Sequence, residues 1–222
     1  MTTPDRYTRP SASSAALVLI DVQRDFLDLP GGDAPMPVAG TRAAIPAMAK
    51  LATAFRERGR PIVHVIRLYR PDGSNADLVR RQSIEEGARI AVPGSSGSQI
   101  AAELLPNVVE VDHELLLAGG FQRVGAGEHV MYKPRWGAFY DTDLDRHLRE
   151  SGSNTLVFAG CNFPNCPRTS IYEASERDFR IVLVSDAISG LYDRGIDECR
   201  AIGVEVLGLS QTLDWLALLA TR

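Results

Sequence analysis

Thr155-Leu-Val-Phe-Ala-Gly160 runs directly into Cys161-Asn-Phe-Pro-Asn-Cys166-Pro-Arg-Thr169, and this stretch decides the fold. The first six residues form an apolar run that stops at a glycine, which is typical of a strand buried in a parallel sheet. The following turn leads into a predicted helix over 167–178, with Cys166 at its start. Unpaired N–H groups and the positive dipole end of a helix favour a thiolate, so Cys166 is the leading candidate for a catalytic nucleophile.

The same apolar pattern recurs along the chain and alternates with helix-like segments. Alternation of this kind predicts an α/β fold, here a three-layer Rossmann-like domain with a parallel sheet of about six strands flanked by helices. We expect a single domain over 15–222 and a flexible N-terminal segment over 1–14. The predicted strands are 16–21, 61–66, 129–133, 155–160, 180–186 and 204–207, and the predicted helices are 41–58, 142–150, 167–178, 195–202 and one beginning at Thr212.

Two stretches break the alternation. Residues 70–98 are rich in glycine, serine and proline and predict a long loop with one short helix, and such loops often cover binding sites. Residues 107–127 contain a strand-like run over 108–111 and an apolar run over 115–117. The role of this second stretch stays open.

Composition limits the kind of protein. A chain of 222 residues with 45% hydrophobic residues can bury one sizeable core, and no run approaches the roughly 18–20 apolar residues of a membrane span. A net charge of −4 gives no general attraction to nucleic acid, so a small molecule is the expected partner. The start of the chain is polar, and the three cysteines lack metal-ligand spacing. We therefore expect a cytoplasmic protein with free thiols, no membrane contact and no nucleic-acid partner.

Three residues that carry chemistry fall at one edge of the predicted sheet. Asp21, Lys133 and Cys166 lie at or just beyond the carboxyl ends of three strands, where parallel sheets bind ligands. Singly, each has an ordinary structural explanation: a capping aspartate, a solvated lysine and a packing cysteine. Together they supply a base, a cation and a nucleophile.

Four sequence motifs, taken in order, carry a resemblance that spans most of the chain. They are Leu17-Val-Leu-Ile-Asp-Val-Gln-Arg-Asp-Phe26, Pro93-Gly-Ser-Ser-Gly-Ser-Gln-Ile100, Tyr132-Lys-Pro-Arg-Trp-Gly-Ala-Phe139, and 160–169 with Ala174. The chain resembles the isochorismatase-like cysteine hydrolases, which include nicotinamidases and N-carbamoylsarcosine amidases.

The resemblance implies a role for each residue of the proposed site. Asp21 is the implied general base, Lys133 keeps the carboxylate and the thiolate ionised, and Cys166 attacks the substrate carbonyl. A non-proline cis peptide is implied at the Cys161–Asn162 bond, where it aims the Asn162 N–H alongside that of Cys166 as an oxyanion hole. Pro167 suits the first turn of a helix. The resemblance also implies a homodimer or homotetramer.

Aromatic and basic residues flank this site. Phe26, Trp136, Tyr140 and Phe163 are candidate substrate-binding residues that form an aromatic wall, and the alternative is that they belong to the core. Arginines near the long loop offer a carboxylate-binding group or, alternatively, a solvated loop face: Arg67, Arg70, Arg80 and Arg81.

We predict no metal and no cofactor. Metal-dependent nicotinamidases share an Asp-x-His cluster after the second strand, whereas this chain reads His64-Val-Ile-Arg-Leu-Tyr-Arg70 there. The remaining histidines, His113, His129 and His147, are dispersed. No glycine-rich phosphate loop follows the first strand closely enough to suggest a nucleotide.

These observations predict a hydrolase that cleaves a non-peptide C–N bond in a small amide, ureido compound or lactam, through a thioester on Cys166. One alternative is hydrolysis of an isochorismate-type vinyl ether, which needs an acid rather than a thiol. The other is a catalytically silent family member that binds a ligand or a partner, an idea supported by Pro164 and Pro167 beside the cysteine.

Overall fold

The apolar runs of the sequence become the central strands of one sheet in the structure, a computed structural model that describes residues 5–28 and 34–217. The ends of the predicted segments at 1–4 and 218–222 lie outside the described residues. Seven strands pair in the order β3-β4-β2-β1-β5-β6-β7, and every neighbouring pair is parallel except β3 with β4. The strands are β1 Ala15–Ile20, β2 Ile62–Ile66, β3 Phe121–Gly125, β4 Glu128–Tyr132, β5 Thr155–Gly160, β6 Arg180–Ile188 and β7 Glu205–Leu207.

The predicted α/β class is confirmed. The sheet has seven strands rather than the predicted six or so, because the sequence did not predict β3. β3 lies at the sheet edge, antiparallel to β4, inside the stretch 107–127 whose role the sequence left open. Its sequence Phe-Gln-Arg-Val-Gly is mostly only partly buried, so it lacks the continuous apolar run of an interior strand. The strand-like run over 108–111 forms no strand, and Val108 is fully exposed.

Helices cover both faces of the sheet. α1 and α7 pack on one face together with the short α3, while α4, α5 and α6 pack on the other, which gives three layers. The long loop after β2 contains one short helix, α2, as predicted. The helices are α1 Thr41–Glu57, α2 Leu78–Glu85, α3 His113–Leu117, α4 Leu144–Glu150, α5 Cys166–Ser175, α6 Asp193–Ala201 and α7 Leu209–Ala217. None of the helices within 5–28 and 34–217 is both long and apolar enough to cross a bilayer.

Residues 5–14 make hydrogen bonds to the first residues of β5 and β6. The Ser11 N–H donates to Thr155 Oγ1 at 3.0 Å, and the Arg180 Nε donates to the Tyr7 carbonyl at 3.1 Å. The flexibility expected for residues 1–14 stays a prediction.

A buried charged network ties α1 to the sheet. Glu128 begins β4 and accepts hydrogen bonds from Arg56 Nε at 2.8 Å and Nη2 at 2.7 Å, while His64 Nε2 lies 2.7 Å from its Oε1. Burial alone would raise the pKa of Glu128, but the hydrogen bonds and charges of Arg56 and His64 outweigh it and lower the pKa to about 2. The histidine of β2 is therefore a satisfied core residue.

Candidate active site

Three parallel strands of the sheet, β4, β1 and β5, deliver the predicted site to one edge, with β2 lying between β4 and β1. Each strand is extended by one ladder hydrogen bond beyond its end: Asp21 N–H to the Val65 carbonyl at 2.8 Å, Lys133 N–H to Ile66 at 3.0 Å, and Cys161 N–H to Ile20 at 2.9 Å. The residues that follow β1, β4 and β5 are thereby fixed relative to one another. The prediction that they meet at the carboxyl edge is confirmed.

Gly160 allows the end of β5 to approach β1 closely. Its φ is +126°, and a Cβ atom there would lie 2.3 Å from the Ile20 carbonyl oxygen. A side chain would therefore meet rigid backbone in a conformation that L-residues rarely adopt. Glycine at this position lets the chain turn directly from the strand into the segment that carries the cysteine.

The turn after β5 brings Cys166 to the start of α5. The Cys161–Asn162 peptide bond is cis, as the resemblance implied. The Phe163 N–H donates to the Ser189 carbonyl at 2.8 Å, which attaches the turn to the end of β6. Cys166 is the first residue of α5, and Pro167 is accommodated in the first helical turn, where its missing N–H has no intrahelical partner.

A buried ion pair lies beside the cysteine. Lys133 Nζ is 3.0 Å from Asp21 Oδ2 and donates to the Arg135 carbonyl at 3.2 Å, and the Lys133 side chain is fully buried. Burial alone would lower the pKa of Lys133, but the charge and the hydrogen bond of the Asp21 carboxylate raise it above its usual value. Lys133 therefore stays protonated and forms an ion pair with the Asp21 carboxylate.

The surroundings of the Cys166 thiol favour its protonated form. Burial, followed by the charge of Asp21, raises the pKa of Cys166 to about 12, although Lys133 acts in the opposite direction. The roles of Lys133 and of the helix N-terminus in stabilising a thiolate stay predictions. Asp21 Oδ1 is buried and has no hydrogen-bond partner among residues 5–28 and 34–217, so this oxygen is available to take the thiol proton.

Two backbone N–H groups near the thiol are available to a ligand. Within the part of the chain that the structure describes, neither the Asn162 N–H nor the Cys166 N–H donates to a protein acceptor. The side-chain oxygen of Asn162 accepts a hydrogen bond from Asn165 Nδ2 at 3.2 Å. The two amides lie on either side of the turn, and their role as an oxyanion hole stays a prediction.

A cavity opens over these groups, with about 460 Å³ of empty space when its open mouth is included. Of the four predicted aromatic residues, it is lined by Phe26 and Trp136. Phe163 is fully buried in the core with its ring centroid 5.5 Å from that of Tyr192, and Tyr140 is 55% exposed outside the cavity. Phe163 lies close to Cys166 in sequence and Tyr140 close to Trp136, but the turn after β5 and the loop after β4 direct both side chains away from the cavity.

Two residues of the loops around the site were missed as functional candidates. Gln23 is fully buried, and its amide donates to the Arg67 and Ser98 carbonyls at 2.8 Å each and accepts from the Arg67 N–H at 2.8 Å. This side chain joins the end of β1 to the end of β2 and to the 93–100 motif. Its position within the first motif was the available signal. For Asp77, which also lines the cavity, the sequence contains no such signal.

Arg67 is buried rather than part of a solvated loop face. Its guanidinium donates to the Lys133 carbonyl at 2.8 Å and to Asp77 Oδ2 at 2.9 Å, and it lies 4.4 Å above the Tyr69 ring. The hydroxyl of Tyr69 also donates to Asp77 Oδ2, at 3.3 Å. Of the other predicted arginines, Arg80 lines the cavity.

Arg67 and Tyr69 lie after β2, in the region where the resemblance places the metal cluster of metal-dependent nicotinamidases. Within 5–28 and 34–217, no group of three or more histidine, cysteine, aspartate or glutamate side chains is arranged to hold a metal ion. The absence of a metal and of a cofactor stays a prediction.

The family model for the isochorismatase domain matches residues 15–116 and 117–210, which is most of the chain. The chain belongs to the isochorismatase family of hydrolases. Its α/β architecture is shared with solved members. It is 34% identical to an isochorismatase family protein from Desulfovibrio vulgaris, with a TM-score of 0.77 and coverage of 92% of this chain and 98% of the other.

Other relatives carry names for specific activities. The chain is 25% identical to N-carbamoylsarcosine amidase from Thermoplasma acidophilum, with a TM-score of 0.65 over 88% of this chain and 96% of that one. It is 27% identical to a ureidoacrylate amidohydrolase from Methylobacterium radiotolerans, over 77% of this chain and 65% of that protein. It is also 26% identical to a probable inactive nicotinamidase from Arabidopsis thaliana, over 92% of this chain and 97% of that protein.

Proposed function

We propose that this protein hydrolyses a non-peptide C–N bond of a small amide, ureido compound or lactam through a thioester on Cys166. The observation that carries the proposal is the Asp21–Lys133 ion pair at 3.0 Å beside Cys166, in one cavity, with Asp21 Oδ1 unpartnered. Relatives named as amidohydrolases and amidases support a C–N bond as the target.

Acylation begins with a proton transfer. Asp21 takes the thiol proton as the sulfur attacks the carbonyl carbon, and the N–H groups of Asn162 and Cys166 donate to the oxyanion that forms. The raised pKa of Cys166 fits this order of events, because the proton leaves as the C–S bond forms. The tetrahedral intermediate then expels the amine, which receives the proton from Asp21, and a thioester remains.

Deacylation reverses the roles. Asp21 removes a proton from water, the hydroxide attacks the thioester carbonyl, and the sulfur leaves and regains the proton as a carboxylic or carbamic acid is released. Lys133 stays charged throughout and stabilises the Asp21 carboxylate at the start of each half-reaction. No step requires a metal or a cofactor.

The test is a trapping experiment on a panel of small amides, ureido acids and lactams. Wild type is expected to release amine and to accumulate, on acid quench, an acyl adduct on the peptide that contains Cys166, seen by mass spectrometry. Cys166→Ala should lose turnover and the adduct, whereas Cys199→Ala, which changes a cysteine in the core, should retain both. Full turnover by Cys166→Ala would refute covalent catalysis.

Besides Pro164 and Pro167, the raised pKa of Cys166 supports the non-catalytic alternative. A thiol with its pKa raised to about 12 is a poor nucleophile unless the substrate couples attack to proton transfer. If wild type binds amides from the panel without releasing amine, the protein is a binding member of the family.

A further inference from the structure

Asp77 carries a buried carboxylate oxygen that the structure leaves without a partner. The residue is 8% exposed and lines the same cavity as Cys166. Its Oδ2 accepts from both Arg67 and Tyr69, whereas its Oδ1 is buried and accepts nothing from the part of the chain that the structure describes. Buried polar atoms in native proteins are nearly always hydrogen-bonded, so each exception calls for an explanation.

The unpartnered atoms of this protein show a pattern. Within the described residues, the two buried carboxylate oxygens that lack a partner belong to Asp21 and Asp77, and both residues line the cavity. The mechanism accounts for Asp21 Oδ1 as the acceptor of the thiol proton. Asp77 Oδ1 has no such role.

Asp77 does not cap the helix that follows it, although an aspartate immediately before a helix usually does. It immediately precedes α2, yet its side chain accepts no hydrogen bond from the first turn of that helix. Asp112, in the same position before α3, does cap its helix by accepting from the Leu115 N–H at 3.0 Å. The carboxylate of Asp77 is instead directed to Arg67, whose guanidinium also holds the Lys133 carbonyl at the catalytic edge.

We propose that Asp77 is a specificity-determining residue whose free Oδ1 accepts a hydrogen bond from an N–H group of the substrate. A carboxylate oxygen is an acceptor only, so it favours ligands with an amide or ureido N–H over otherwise similar ligands without one. A site built to pair with a donor rejects the analogue that lacks it, because the buried acceptor then stays unpaired. The proposal rests on the proposed function for identifying the ligand as a substrate.

The arrangement of donors around Asp77 predicts the effect of one substitution. In Asp77→Asn, Arg67 and Tyr69 still require an acceptor and hold the amide oxygen in the place of Oδ2. The Asn nitrogen then takes the place of Oδ1 and presents a donor to the cavity. An N–H of the ligand would face another N–H, and the preference for donor-bearing ligands should disappear.

The test compares two alkylating probes that differ in N–H groups. Iodoacetamide has an amide N–H, and N,N-dimethyl-2-iodoacetamide has none. We define selectivity as the ratio of their rate constants for Cys166, each divided by the rate constant with glutathione, and measure it by mass spectrometry of the modified peptide. Both probes react with the same thiol, so a change in the Cys166 pKa cancels in the ratio.

A hydrogen bond to a charged group typically changes a binding or rate constant by about tenfold to a hundredfold. We therefore expect Asp77→Asn to lower the selectivity by about tenfold or more, and Asp77→Ala to lower it as well. Asp143→Asn, which changes an exposed aspartate that precedes α4 without capping it, is the matched control and should leave the selectivity unchanged. Thermal melts confirm that each variant is folded.

A selectivity within about twofold of wild type in a folded Asp77→Asn or Asp77→Ala variant would overturn the proposal. The measurement needs no amide turnover. A failure of the proposed function, seen as full turnover by Cys166→Ala or as no amine release by wild type, is therefore distinct from a failure of the Asp77 assignment.

Discussion

The Asp21–Lys133 ion pair can be tested by removing only the charge of the lysine. Lys133→Met keeps a long unbranched side chain in the fully buried site but removes the ammonium that lies 3.0 Å from Asp21 Oδ2 and 3.2 Å from the Arg135 carbonyl. Asp21 would then be a buried carboxylate with one oxygen already unpartnered and no cation beside it. Breaking a buried pair in this way costs about 3–5 kcal/mol of unfolding free energy.

For a chain of this length, that loss corresponds to a fall in Tm of roughly 6–20 °C. The assay is urea unfolding at pH 7, followed by circular dichroism and checked by a thermal melt. The control is Lys50→Met, because Lys50 is the other lysine of the chain and is exposed on α1. Its substitution should change the unfolding free energy by no more than about 0.5 kcal/mol.

A double variant separates the loss of the pair from the cost of an unpaired charge. Asp21→Asn combined with Lys133→Met replaces two buried charges with neutral groups of similar size, so it should be more stable than Lys133→Met alone by about 2 kcal/mol or more. A loss below about 1 kcal/mol in Lys133→Met, or a double variant no more stable than the single one, would refute the reasoning.

Three further predictions follow from other parts of the structure. Because the charge of Asp21 helps to raise the pKa of Cys166, Asp21→Asn should lower that pKa and speed iodoacetamide alkylation at pH 8, measured on the modified peptide; an unchanged rate would contradict this. Glu128 has its pKa lowered from 4.5 to about 2, so its ionised form stabilises the fold above pH 4.5 and that stability is lost as the pH falls towards 2. The free-energy gap in urea unfolding between wild type and Glu128→Gln should therefore shrink by about 3 kcal/mol over that range, and a constant gap would contradict the assignment. Gly160→Ala places a Cβ 2.3 Å from a β1 carbonyl, whereas Gly152→Ala meets nothing within 4 Å, so the first should lower the Tm far more than the second despite a positive φ at both sites.

The sequence predicted the central part of the fold because buried parallel strands have a distinctive pattern. β1 and β5 are buried at every position and appear in the sequence as continuous apolar runs that end at a charged or small residue. β3 lies at the edge and is only partly buried, so its pattern does not differ from that of a loop. Only its pairing with β4 makes it a strand.

In the site, too, some features follow from the sequence pattern and others depend on three-dimensional packing. The convergence of Asp21, Lys133 and Cys166 follows from topology, since the residues after the parallel strands β4, β1 and β5 lie at one edge of the sheet. The ionisation state of Cys166 depends on burial and on the distance to a carboxylate, and neither quantity is encoded in spacing along the chain. Lys133 favours the thiolate, but desolvation and the charge of Asp21 outweigh it and raise the pKa of Cys166.

Residues that directly follow parallel strands lie at one edge of the sheet, and we call this the strand-edge rule. Arg67 shows which residues this rule can predict. It follows β2 directly, as Asp21 follows β1 and Lys133 follows β4, so the rule places it at the same edge. The sequence left open whether this arginine binds a ligand carboxylate or lies on a solvated loop face, because the residues that follow it are rich in glycine, serine and proline. Asp77 lies ten residues further on, and the path of the loop brings it back to Arg67 at 2.9 Å. The rule therefore identifies the residues that strands deliver to the site, while those delivered by loops, which here include the proposed specificity residue, require the three-dimensional path of the chain.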